Sequence, residues 1–110
     1  MGPEAPLPLS ATFNDLTLEV ICVFDRPLRA GESAKADWSG KIWRAEAWFK
    51  FKALANPVAE GNRVVFTAQD DGLAFEGPNT LSYGAVTTPR LYGITGVPVA
   101  AFDLLNFTLV

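Results

Sequence analysis

The 110 residues suffice for one domain able to bury roughly two thirds of the surface its unfolded chain exposes, and with 49% hydrophobic and 12% aromatic residues they exclude global disorder. Nine Lys and Arg against twelve Asp and Glu leave a net charge of -3, the wrong sign for a phosphate-binding surface, so nucleic acid is not an expected partner. Histidine is absent and Cys22 is the only cysteine, which removes Ser-His and Cys-His pairs, the commonest zinc ligands and any internal disulfide.

The opening MGPEAPLPLSATF has neither a positively charged start nor a continuous apolar run, so neither a signal peptide nor a membrane anchor is expected there. Pro3, Pro6 and Pro8 fix their own φ angles and bias the preceding residues toward extended backbone. Residues 1–12 therefore read as an extended, proline-rich N-terminal arm, docked through Leu7 and Leu9 on its own domain or on a neighbour, with residues 13–110 as a single β domain.

From Leu16 the pattern alternates. Leu16, Leu18, Val20, Cys22 and Phe24 share one face, and the opposite face begins polar and turns apolar at Ile21 and Val23, as in a strand covered on both sides over its far half. Pro27 ends the ladder. The polar stretch GESAKADWSG is a connection with Trp38 as its buried anchor. Over residues 43–53 the period of two predicts one strand, with Trp43, Phe49 and Phe51 inward and Trp48 outward among Glu46, Lys50 and Lys52. RVVFTA, residues 63–68, is a compact β-branched strand, and Asp70-Asp71-Gly72 is expected to turn the chain before a short apolar piece, residues 73–75. TLSYGAV supplies another strand with Leu81 and Tyr83 on one side. A long loop follows, with Pro89, Gly93 and Gly96, pinned by Leu91, Tyr92 and Ile94. The last strand covers residues 99–110, bent near residues 103–106. Short strands with recurring turn signals predict an all-β fold.

The phrases FDRPL, GNRVVFTA, NTLSYGA and GVPVAAF, with Phe24, Asp25, Pro27, Leu28, Gly61, Asn62, Val64, Tyr83, Gly96, Pro98, Val99 and Phe102, resemble bacterial immunoglobulin-like domains of the kind found in surface and adhesin proteins and in bacteriophage virion proteins. The likeness covers residues 16–104. It implies a single immunoglobulin-like antiparallel β-sandwich and a non-enzymatic structural or interaction role, such as a capsid decoration or accessory subunit assembled in the bacterial cytoplasm and carried on the virion. A carbohydrate-binding or adhesin module at the bacterial surface is the alternative.

The candidate sites divide accordingly. Asp25-Arg26 reads as a strand-terminating turn, and Asp70-Asp71 falls short of the oxygen cage that calcium requires. Cys22 faces inward as a small apolar residue. No catalytic residue, metal or cofactor is expected. The contact candidates are Leu7, Leu9, Trp48, Leu91, Tyr92, Phe107 and Leu109, and the expected partners are protein subunits, either copies of the chain or capsid and tail proteins, with glycan possible and no membrane. The apolar C-terminus, with Leu104, Leu105, Phe107, Leu109 and Val110, is expected to pair centrally or to meet another chain.

Overall fold

The computed structural model describes residues 5–74, 77–105 and 107–110. The all-β expectation holds. Ten strands form one curled, mixed sheet: β1 (Pro8–Phe13), β2 (Glu19–Phe24), β3 (Gly31–Glu32), β4 (Trp38–Arg44), β5 (Ala47–Ala53), β6 (Val58–Glu60), β7 (Arg63–Leu73), β8 (Thr80–Tyr83), β9 (Phe102–Leu105) and β10 (Thr108–Leu109), with one 3-10 turn at Lys35–Asp37. The order is β10-β1-β2-β7-β5-β4-β8-β9, and β6 pairs with both β7 and β3.

Two features curl the sheet. The long strand β7 pairs with β2 through Thr67 and with β5 from Ala68 onward, so it belongs to both halves. At the C-terminus, β9 lies on β8 at one end of the order, and the chain then crosses to place β10 on β1 at the other end. Of the bend expected near residues 103–106, residues 103–105 pair in unbroken register in β9, and Asn106 lies outside the described residues. Phe107 is buried at the crossing, and its carbonyl accepts the Asn79 side-chain N–H at 2.9 Å. The β1–β10 pairing is parallel, which corrects the purely antiparallel expectation.

The two halves meet through aromatic rings. Phe13 on β1 touches Phe51 on β5 at 5.4 Å, and Phe24 on β2 touches Phe102 on β9 at 5.8 Å. Trp38 lies on Tyr83 at 4.9 Å, Phe66 at 5.7 Å and Phe102 at 6.0 Å, and its indole N–H donates to the buried Ser33 hydroxyl at 3.0 Å. Gly40 has room for no side chain, because a Cβ there would stand 2.4 Å from the Phe51 ring.

Several local expectations are corrected. Leu16 is 94% exposed, since the Asn14 side-chain oxygen accepts the Leu16 and Thr17 N–H groups and closes a turn that Leu18 leaves at φ 62°. The strand therefore starts at Glu19, and Leu18 is only partly buried against the core. Residues 43–53 form a hairpin instead of one strand, turning at Ala45 and Glu46, both at positive φ. A two-residue turn reverses the phase of the alternation. Phe51 and Ala53 thus remain inward while Trp43, opposite Trp48, points out and is 47% exposed. At Asp70-Asp71-Gly72 the chain does not turn: the Asp70 carboxylate accepts the Gly72 N–H at 2.9 Å in an irregularity that β7 passes through to reach Leu73. Phe75 of the expected short piece lies outside the described residues. Of the arm, Pro8–Phe13 is a strand of the sheet, with Pro8 at the first position, where a missing N–H is tolerated. Its anchor is the buried Pro6, whereas Leu7 and Leu9 are 58% and 61% exposed.

Gly40→Ala is expected to destabilise the domain by about 1–3 kcal/mol, because the added methyl forces the Phe51 ring or the Thr80 carbonyl to move. Urea unfolding followed by tryptophan fluorescence measures the loss.

Candidate functional site

Two long connections, residues 25–37 and 84–101, converge at one pole of the sheet. Both are held from within the core. The buried Asp37 carboxylate accepts the Val86 N–H at 3.2 Å and the Thr87 N–H at 3.0 Å, and its carbonyl accepts Gly84 N–H at 2.8 Å. Further along, the Tyr83 hydroxyl accepts the Leu91 N–H at 3.0 Å. Burial pushes the Tyr83 hydroxyl above its ordinary pKa, with the Asp37 charge adding to the effect, so it stays a neutral phenol.

The connections are then stitched to each other. Leu28 bridges Gly93, Arg29 N–H reaches Tyr92 O at 2.9 Å and Ala34 N–H reaches Pro89 O at 2.7 Å. Leu91 is buried and Tyr92 half-buried, while Ile94, expected to pin the loop, is 64% exposed. An open pocket of about 320 Å3 remains between the connections, with Arg29, Glu32, Thr88, Arg90 and Tyr92 on its walls. Sequence reasoning selected Leu91 and Tyr92 here and missed Arg29, Glu32 and Arg90, because the first two stand far from the third along the chain and the three match no local motif.

The outer face of β1, β2, β7 and β6 is a second surface. The register sets Ile21 beside Val65, and Val65 beside Val58. Val23 lies one row along, next to Ser10 of β1, and Leu9 projects at the register shift between Pro8 and Ser10. Thr12, Ser10, Arg63 and Glu60 border this apolar row. Leu7 stands beyond it. Its backbone N–H donates to the Asp25 carboxylate at 2.9 Å and its carbonyl accepts Asp25 N–H at 3.0 Å. The Leu7 N–H, followed by the Arg26 guanidinium, holds the Asp25 carboxyl below its ordinary pKa, in keeping with a strand-terminating turn.

The hairpin of β4 and β5 presents a third surface, where Trp43 and Trp48 meet edge to face at 5.6 Å beside the opposed Lys41 and Lys50. Trp48 is half-buried by this partner. Phe107 and Leu91, sequence candidates for contact, are core residues and offer no surface, and Leu109 is 37% exposed on β10. Cys22 is buried, and burial pushes its thiol up to about 12. Among the described residues no group of three or more His, Cys, Asp and Glu side chains is gathered to hold a metal.

Comparison with known proteins gives no match to any family model, to any curated protein or to any solved structure.

Two titrations check these assignments. The lowered Asp25 pKa means that its carboxylate favours the folded state above the usual aspartate range, and that this contribution is lost as pH falls through the folded-state value. Amide exchange at Leu7, corrected for its intrinsic pH dependence, is expected to lose protection only once pH has fallen below the usual aspartate range, and Asp25→Asn to remove that step. Cys22 is expected to resist a thiol reagent at pH 8 in the folded protein and to react once unfolded, since burial disfavours its thiolate.

Proposed function

We propose that this chain is a non-enzymatic, immunoglobulin-like interaction module that works by burying its outer sheet face against a neighbouring protein subunit. The carrying observation is the apolar row formed by the half-buried Ile21, Val23 and Val65 with the exposed Val58 and Leu9, bordered by polar residues. Apolar patches with polar borders mark contact surfaces, because their exposure costs free energy that a partner recovers. The strand order supports the immunoglobulin-like reading. One half runs β1-β2-β7-β6 and the other β5-β4-β8-β9, the same arrangement as strands A-B-E-D and C′-C-F-G of that sandwich.

The narrower setting, a decoration or accessory subunit of a bacteriophage virion, rests on the sequence phrases that resemble such domains. The neutral, tethered Tyr83 and the buried Cys22 thiol are not activated as nucleophiles or bases, which favours the non-enzymatic reading. The half-buried Tyr92 and the pocket beside it favour glycan binding as a second reading.

Light scattering after size exclusion tests the module, run on the chain alone and mixed with the products of adjacent genes. The peak that contains this chain is expected at a mass above the 11.9 kDa of one chain in at least one of these samples. The double variant Ile21→Lys/Val65→Lys is expected to weaken that association by about a hundredfold or more while retaining the β-sheet circular dichroism. A single-chain mass in every sample opposes the reading.

A further inference from the structure

The pocket at the loop pole is separate from the apolar face and carries a chemistry of its own. Arg29 and Arg90 line it, and among the described residues neither has a carboxylate within 4.0 Å. The Arg29 guanidinium is nevertheless held in position. It lies over the Tyr92 ring, 5.4 Å from the centroid, and packs so closely on Gly96 that a Cβ there would stand 3.1 Å from Nη2. Gly96 sits at φ 93°, where glycine is favoured. A planar fork fixed against an aromatic ring is preorganised for a carboxylate, and little rotamer entropy is lost on binding.

Glu32 shares the same pocket and narrows the choice of ligand. Its charge sets a phosphate dianion at a disadvantage to the single carboxylate of one ligand unit, yet it accepts hydrogen bonds from neutral donors. A matching ligand unit therefore carries one carboxylate for the arginines and hydroxyl groups for Glu32 and the Thr88 hydroxyl, on a ring small enough for a cavity of about 320 Å3. We propose that this pocket binds a carboxylated sugar unit of the hexuronic type, with Arg29 and Arg90 taking the carboxylate and Glu32 and Thr88 taking ring hydroxyls. The backbone bonds that stitch the two connections together make the site largely formed before the ligand arrives.

An NMR titration of the full chain with trigalacturonate tests this, using neutral trigalactose, glutamate and inorganic phosphate as comparisons. Saturable amide shifts at Arg29, Glu32 and Tyr92 are expected with trigalacturonate, at a Kd on the order of 1 mM. Arg29→Gln and Arg90→Gln each weaken it by about tenfold, and Arg29→Lys by less, because it keeps the charge and loses the fork. Both arginines are exposed, so an otherwise unchanged spectrum verifies that each variant is folded. Absence of saturable shifts up to about 20 mM, equal affinity for trigalactose, or tighter binding of glutamate or phosphate overturns the proposal. The Ile21→Lys/Val65→Lys variant is expected to bind trigalacturonate normally, so a failure of this site is distinguishable from a failure of the subunit contact.

Discussion

The burial of Trp38 is the constraint on which the rest of the molecule depends. Its indole joins β4 to β7, β8 and β9 through Phe66, Tyr83 and Phe102, and each aromatic pair adds about 0.5–1.5 kcal/mol beyond the area it removes from water. A buried indole also carries a polar N–H that must be satisfied, and Ser33 does so from the first long connection. Tyr83, stacked on the same indole, reaches the second connection through its hydroxyl. The core thereby sets the geometry of the loop pole directly: both walls of the pocket are tied to one stack of rings.

A second ring cluster of Phe13, Phe51 and Phe107 does the corresponding work toward the opposite pole. Phe107 stands where the final strand leaves β8 for β1, so the residue that closes the curled sheet is itself part of the filling. This accounts for the apolar C-terminus. Phe107 fills the closure and Leu104 packs against the core, while Leu109 and Val110 are exposed.

Much of this was legible in the sequence, and the misreadings have definite causes. The alternation from Val20 to Phe24 gives the correct inward row, because β2 is flanked by β1 and β7 along its length, and RVVFTA is a strand as its β-branched run implies. Leu16 fails because Asn14 offers a side-chain oxygen to two backbone N–H groups, a local bond that outcompetes extension of the ladder. The hairpin at Ala45-Glu46 escapes notice since neither residue is the glycine, asparagine or aspartate that such a turn favours. Its effect is selective: residues after the turn keep the face assigned to them, and Trp43 before it changes sides. The pocket was the least legible feature. Arg29, Glu32 and Arg90 meet only because residues 28–34 and 89–93 are bonded across the pole, a pairing with no trace in local pattern.

The parallel lie of β1 and β10 has a bearing on how the molecule sits among others. Because the two strands run the same way, Pro6 and Leu7 lie beside Gly93 and Asp25, whereas Val110 lies beside Asp15 at the other end of β1, in a body 46 Å long and about half as wide. A tether attached after Val110 would hold the domain upright like a post, with the arginine-lined cavity at its tip and the apolar flank turned sideways toward adjacent posts.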